Sequence, residues 1–303
     1  MENKALVPVN LNQFKSIQAT DHAPYKSPRY TFIPTTDVVR IFQEHGWVPS
    51  KAIEKRARIE SHIGFQEHMI RFRRPEDMAL VESLITRQNH MARRDAPLAE
   101  FAEIVLVNSH DGGKAFNIMM GFFRLVCCNG LIVAGEQFAT HRIKHVGFQE
   151  ENVIEAVYDV VETAPKIANR IQDLKQIELD RPEQIIFAQA ALTAKYGEPV
   201  EELNRRFNPE LLVRPVRVND TLEQDQRQYL QGPGRNSLWN TFNIAQEKLI
   251  EKGGRFTIDP NDGGRGRKAR PIASVSENVR VNQALWLLAE KMAEMKGAGK
   301  AAL

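Results

Sequence analysis

The sequence contains little cysteine, which limits the structural and catalytic roles that thiols can have. Its 303 residues include two cysteines, the adjacent Cys127 and Cys128 in an apolar run. Neighbouring cysteines are poor disulfide partners, and two are too few for a zinc site built from thiolates. Their apolar surroundings also disfavour a reactive thiolate. We therefore expect inert, buried cysteines in a protein of the reducing cytoplasm.

Long hydrophobic segments are absent from the sequence as well. No window approaches the roughly 18 to 20 uncharged apolar residues that a membrane-spanning helix needs. Residues 1–20 also lack the apolar segment of a secretory signal peptide. The sequence therefore predicts a protein without membrane spans or membrane partners.

A large excess of one charge is the third feature that the sequence lacks. The chain has 41 Lys and Arg residues against 38 Asp and Glu residues, for a formal net charge of +3. This balance does not indicate a polyanion-binding protein by itself. Any contact with nucleic acid must come from local clusters of cations.

Strand signals are strongest between Phe101 and Gly135, where three apolar runs are separated by two turn sequences. Asp111–Gly113 and Asn129–Gly130 supply residues that tolerate the positive φ of tight hairpin turns. The run Ile118–Cys128 could instead be a buried helix that ends at Asn129–Gly130, but a strand is favoured. This segment predicts the centre of an antiparallel sheet.

Further elements are predicted on both sides of that segment. We expect strands at Trp47–Ile53, at His62–Arg73 and around His141–His145, from apolar runs and alternation of side chains. A short helix through Phe42 would be capped by Thr35 or Thr36 and closed by Gly46. Residues 1–27 read as a flexible N-terminal arm.

From Glu150 onward the apolar period becomes helical. Pro165 should kink or divide the first helix. Further helices are expected at Pro182–Tyr196, Ser237–Glu251 and Glu277–Met295, and Glu201–Gly234 reads as a connection. The fold class is therefore α+β: an antiparallel sheet core over residues 28–148, and a helical half over 149–303 that packs on the sheet.

Catalytic and metal-binding patterns are weak. His141 and His145 lie four residues apart, but strand periodicity separates them and no acidic residue of a metalloprotease motif lies between them. Gly112–Lys114 lacks the spacing of a phosphate loop, and His110 with Asp111 lacks a nucleophile. The best acidic residues for a metal-dependent nuclease, Asp111, Glu136, Asp159 and Glu162, have no recognisable ligand spacing. We expect no catalytic residues, no metal and no cofactor.

Basic residues give the stronger functional signal. Arg71 and Arg73 project to one face of a predicted strand, and Arg142 and Lys144 repeat this arrangement on another. Alternate residues of a strand lie about 7 Å apart, close to the phosphate spacing of an extended nucleic-acid strand. The equally acceptable alternative is an ordinary solvated face of the sheet.

A second basic cluster lies in the Gly-rich loop of residues 261–270. This loop carries four cations among glycines: Arg265, Arg267, Lys268 and Arg270. Glycine leaves the backbone free to follow a polyanion, although an ordinary flexible surface loop would have the same composition.

Three segments resemble a known family. They are GFFRLVCCNGLIVAG in the centre, YTFIPTTDVVRIFQEHGW near the start and NSLWNTFNIAQEKL toward the end. Together they resemble the phage- and plasmid-borne proteins of domain of unknown function 932, from about Tyr30 to about Leu288. Cys128 stands where that family is expected to have Ser or Thr. The resemblance implies a mobile element in a bacterial host cell, and it supplies no catalytic residues.

The leading hypothesis is binding of single-stranded DNA without sequence preference, in support of annealing or recombination. An antiparallel sheet with a basic face and a long helix is similar to the architecture of single-strand annealing recombinases, which implies a homo-oligomer. The alternative is an anti-restriction protein that contacts a host defence protein. A metal-dependent nuclease is the third hypothesis.

Overall fold

A computed structural model describes residues 9–26, 30–77, 100–124, 129–133, 140–143, 150–214, 236–258 and 268–297. The described residues up to Ala164 form one compact unit and those from Pro165 onward form a second. The first unit contains an antiparallel sheet and the second is mainly helical, which confirms the α+β class. None of the described helices is long and apolar enough to cross a membrane.

The sheet of the first unit is antiparallel at every described pairing. Its strands are β1 (Val48–Glu54), β2 (His68–Arg73), β3 (Glu100–Asn108), β4 (Phe116–Arg124), β5 (Asn129–Ile132) and β6 (Thr140–Ile143). The strands from β1 to β5 lie in sequence order, and β6 also pairs with β4. β5 pairs with the part of β4 from Gly121 onward, whereas β6 pairs with Phe116–Met119.

The predicted strand at Ile118–Cys128 is confirmed as far as Arg124, where β4 ends. Residues 125–128, including both cysteines, lie outside the described residues. The turn before β4 is closed by Asp111, whose Oδ1 accepts a hydrogen bond from the backbone N–H of Gly113 at 2.8 Å. The Asp-Gly-Gly signal therefore identified a real turn.

Two helices pack on the sheet. In α1 (Thr35–Glu44), the Phe42 ring lies 4.6 Å from that of Phe72 on β2. The helix α2 (Glu150–Glu162) contacts β3, β4 and β6, and its Val153, Val157 and Val160 are buried. The sheet unit therefore extends beyond the boundary expected near residue 148.

Residues 9–26 differ from the flexible arm that we expected. The backbone N–H of Val9 donates to the carbonyl of Pro49, and Ile17 and Ala23 are fully buried. The Glu54 carboxylate accepts hydrogen bonds from both the backbone N–H and the hydroxyl of Ser16. Burial of the scattered apolar residues offsets the entropy of ordering this segment.

The second unit consists mainly of helices. They are α3 (Ala164–Gln176, which begins one residue before the unit boundary), α4 (Arg181–Tyr196), α5 (Val200–Arg206), α6 (Pro209–Val213), α7 (Leu238–Gln246) and α8 (Val275–Met295). Pro165 does divide the helical segment, since α2 ends at Glu162 and α3 begins at Ala164. The prediction of a plain connection over 201–234 was wrong at its start, where α5 and α6 lie.

One turn of π-helix, Glu247–Glu251, continues α7. Buried amides connect α7 and α8. Gln246 of α7 donates to the side-chain oxygen of Asn282 on α8 at 2.6 Å, and Asn282 donates to Asn278 on the same helix at 2.9 Å. Trp239 and Phe242 are buried and stacked 5.4 Å apart. Gly253 and Gly254 follow shortly after this π-helical turn.

Candidate functional site

Arg71 and Arg73 do not lie on an exposed face of the sheet, and that structural prediction was wrong. Their side chains are 1% and 2% exposed, and the Glu103 carboxylate between them is fully buried. Nη1 of Arg71 donates to Glu103 Oε2 at 2.7 Å, and Nε of Arg73 donates to Oε1 at 2.6 Å. One acid on the neighbouring strand thus turns the predicted basic track into a buried ion cluster.

Arg71 also joins this cluster to β5. It donates to the backbone carbonyls of Gly130 at 2.8 Å and Leu131 at 3.2 Å. A Cβ atom on Gly130 would lie 2.6 Å from the guanidinium carbon, so only glycine leaves room for the arginine. Burial raises the pKa of Glu103, but Arg73 and Arg71 outweigh it and hold that pKa below its ordinary value. The cluster therefore connects three strands through charge-assisted hydrogen bonds.

Four of the other predicted cations cannot be placed in a site. The backbone of Arg142 lies in β6 opposite Asn117. Lys144, Arg265 and Arg267 lie outside the described residues.

Lys268 and Arg270 are exposed, as the sequence predicted, and a third cation joins them. An isolated antiparallel bridge pairs Gly254 with Ala269, and Arg255 and Lys268 are their neighbours on the same side of the bridge. We call Arg255, Lys268 and Arg270 the basic edge. None of the three has an acidic partner among the described residues. By contrast, the exposed Arg205, Arg206 and Arg280 each pair with a glutamate.

Two glycines allow the chain to form the basic edge. Gly253 has a φ of +68°, and a Cβ atom there would lie 2.0 Å from the carbonyl oxygen of Ala269. The backbone N–H of Ala269 donates to Gly254 at 2.8 Å, and that of Ile272 donates to Ile250 at 2.9 Å. These bonds fix the end of the Gly- and Arg-rich loop and the residues after it. Gly253–Gly254 is the sequence signal that could have located Arg255 beside the predicted loop cations.

Lys248 supports the basic edge from within the π-helical turn. Its side-chain stem packs against Gly254, and its Nζ donates to the backbone carbonyls of Leu211 and Arg214. Burial lowers the pKa of Lys248 to about 8. Arg214, at the end of α6, is exposed. Positive charge therefore continues from the basic edge toward the end of α6.

The described residues of the histidine and carboxylate patterns have other roles or lie apart. Among the described residues, no group of three His, Cys, Asp or Glu side chains could hold a metal ion. Nε2 of His141 lies 3.2 Å from an Asp159 carboxylate oxygen, and His145 lies outside the described residues. Asp111 closes its turn by accepting a hydrogen bond from the backbone N–H of Gly113.

A buried polar cluster surrounds the first residue of α1. The Thr35 hydroxyl lies 3.3 Å from Nε2 of His110 and accepts a hydrogen bond from the Asn108 amide at 3.0 Å. It also lies within hydrogen-bond distance of His68, whose pKa burial lowers to about 4. The predicted capping of α1 by Thr35 or Thr36 was therefore wrong, since Pro34 occupies the N-cap without a side-chain hydrogen bond and the Thr35 hydroxyl faces β2 and β3. Gly46 closes the helix with a φ of +78°.

The geometry defines an α+β protein with a buried ion cluster in its sheet and an exposed basic edge in its helical unit. The family model described as Domain of unknown function (DUF932) matches residues 24–286. This chain belongs to that family, which confirms the resemblance found in its motifs.

Two curated relatives come from Escherichia coli (strain K12). UPF0380 protein YafZ is 32% identical over 280 residues, which cover 91% of this chain and 87% of the relative. UPF0380 protein YfjQ is 31% identical over the same length and with the same coverage. No solved structure matches the chain. Neither relative's name states an activity, so function must be argued from the site.

Proposed function

We propose that this protein binds single-stranded nucleic acid through its phosphates, without sequence preference, and supports annealing or recombination of DNA. The observation that carries the proposal is the basic edge: three exposed cations that lack acidic partners among the described residues, two at the end of the Gly- and Arg-rich loop and one before it. The loop cations Arg265 and Arg267 belong to the proposed contact. Arg71 and Arg73 do not, because both are buried against Glu103.

Electrostatics favours an anion at this position. Like charges close together repel, and Arg255 and Lys268 are the neighbours of the two bridged residues Gly254 and Ala269 on the same side of the bridge. A phosphate chain that approaches both cations relieves this repulsion and releases its own condensed counterions. Because the backbone bonds from Ala269 to Gly254 and from Ile272 to Ile250 order the chain on both sides, the backbone of the basic edge needs little further ordering on binding.

Annealing also requires that two strands be held by the same assembly, so the proposal includes a homo-oligomer. Contacts with phosphates leave the base edges available for pairing, because phosphate contacts carry no sequence information. A protein of a phage or plasmid in the bacterial cytoplasm is the setting that the family resemblance implied for this activity.

Binding of a labelled oligo-dT by fluorescence anisotropy at low salt tests the proposal. The wild-type chain is compared with the triple variant Arg255→Gln, Lys268→Gln, Arg270→Gln. A matched control loses three exposed lysines that lack acidic partners among the described residues, through Lys15→Gln, Lys114→Gln and Lys166→Gln.

We expect the basic-edge variant to lose at least tenfold in affinity and the control to lose much less. Both variants change the net charge by the same amount, so the comparison separates a site from general attraction. Absence of binding by the wild-type chain would contradict the proposal and favour the protein-contact hypothesis. Equal losses of affinity in the two variants would show that the basic edge is not the binding site.

A further inference from the structure

A second surface, in the first unit, combines exposed rings with cations. Tyr25 is 49% exposed, and its ring centroid lies 5.0 Å from that of His62 at an interplanar angle of 30°. The tyrosine hydroxyl lies 3.3 Å from His62 Nδ1. The Lys26 ammonium lies 5.5 Å from the centre of the Tyr25 ring. We call Tyr25 and His62 the stacking pair.

The connection between β1 and β2 carries His62 of the stacking pair together with further exposed side chains. Three cations of this connection are exposed and have no acidic partner among the described residues: Lys55, Arg56 and Arg58. Ile59 and Ile63 are 59% and 43% exposed on either side of His62. The exposed Glu60 is the one acid among residues 55–63. Rings, aliphatic side chains and unpaired cations thus occur together at one short segment.

Backbone hydrogen bonds hold this segment in shape. The N–H of Lys55 donates to the carbonyl of Glu67 at 2.8 Å, which closes the connection at its base. The N–H of His62 donates to Ile59 at 3.1 Å, and that of Phe65 donates to His62 at 3.2 Å. The backbone of His62 is therefore held by hydrogen bonds on both sides.

We infer that the stacking pair is a platform for the bases of single-stranded nucleic acid, with Lys55, Arg56 and Arg58 on the adjoining phosphates. A base has an apolar face that stacks on Tyr or His, and it is attached to a negatively charged backbone. The surface offers both features within a few residues. This inference rests on the proposed function and extends it, because the basic edge binds phosphates whereas the stacking pair would bind bases.

The contributions of the bases and of the phosphate backbone to binding can be measured separately. The probes are oligo-dT and an abasic deoxyribose-phosphate chain of the same length. Tyr25→Ala removes the ring, and Tyr25→Phe retains it without the hydroxyl. Because Tyr25 is half exposed, both variants should fold, which circular dichroism and thermal unfolding check.

We expect the wild-type chain to bind oligo-dT more tightly than the abasic chain. Tyr25→Ala should weaken oligo-dT binding by about fivefold or more and leave abasic-chain binding unchanged, since stacking on one ring is lost. Tyr25→Phe should keep the preference for bases. The triple variant Lys55→Gln, Arg56→Gln, Arg58→Gln should bind oligo-dT and the abasic chain more weakly, by the same factor.

Three results would overturn the inference. One is oligo-dT binding that Tyr25→Ala leaves unchanged, and another is an equal loss for both probes in that variant. The third is affinity for poly-glutamate that matches that for oligo-dT and depends on Tyr25, which would indicate an acidic protein partner. If the wild-type chain binds neither nucleic-acid probe, the proposed function itself fails, and this outcome differs from the other three.

Discussion

Nε2 of His68 on β2 lies 2.8 Å from the hydroxyl of Thr35, the first residue of α1. Nδ1 of His68 lies 3.1 Å from the carbonyl of Gln66 and must carry the proton that it donates there. Nε2 is therefore unprotonated and accepts the Thr35 hydroxyl proton. The same hydroxyl oxygen accepts from Asn108, which leaves one position for a proton donated by His110.

A protonated His68 does not fit this arrangement, so stability should depend on pH. Burial lowers the pKa of His68 to about 4 in the folded protein, from an ordinary value of 6.5, because it disfavours the charged ring more than the Gln66 carbonyl, Glu54 and Asp111 favour it. The unfolded chain binds the proton more tightly, so stability is fully present above pH 6.5 and falls as the pH drops toward 4. Urea unfolding should show a loss of about 2 kcal/mol at pH 5 from this group.

The variant His68→Gln provides the control for that measurement. Glutamine does not titrate in this range, so its stability should change less between pH 7 and pH 5 than that of the wild-type chain. Identical pH profiles for the two proteins would show that His68 does not cause the effect.

Glu103 should be the acidic residue whose loss destabilises the sheet most. Glu103→Gln leaves the guanidiniums of Arg71 and Arg73 buried without a charged partner, which should cost roughly 3 to 5 kcal/mol in urea unfolding. Glu202→Gln is the matched control, because its exposed pair with Arg205 should contribute less than about 1 kcal/mol. Similar losses for the two substitutions would contradict the role of the ion cluster.

Gly253→Ala should affect both stability and binding of oligo-dT. Its Cβ atom would meet the Ala269 carbonyl oxygen at 2.0 Å, so Lys268 and Arg270 would have to shift. Gly197→Ala provides the control: its φ of +70° is nearly the same, but nothing lies within 4 Å of the added atom. Only Gly253→Ala should weaken oligonucleotide binding in anisotropy measurements. Unchanged affinity would show that the basic edge does not depend on this glycine.

Much of the fold could be predicted because the residues that end helices and form turns act locally in the sequence. Asp111–Gly113 forms the predicted turn, and Pro165 lies where one helix ends and the next begins. The short helices α5 and α6 were missed because their apolar residues are too few to show a helical period. The packing of residues 9–26 was missed because Ser16 bonds to Glu54, which lies far along the chain, and such a contact leaves no local pattern in the sequence.

The site was harder to predict because burial depends on contacts between strands. The alternation of side chains along the strand correctly placed Arg71 and Arg73 on one face of β2. It did not reveal that both form ion pairs with Glu103. Recognising that partner requires the β2–β3 register, which no local pattern supplies. Lys268 and Arg270 were predicted as exposed because glycine-rich sequence around them excludes a packed core.

The salt dependence of oligo-dT binding tests the central claim most directly. Each phosphate contact on a single strand contributes about 0.7 to the slope of log affinity against log salt. The account predicts a slope about 2 units shallower for the Arg255→Gln, Lys268→Gln, Arg270→Gln variant than for the wild-type chain. Equal slopes for the two proteins would contradict binding of nucleic-acid phosphates at the basic edge.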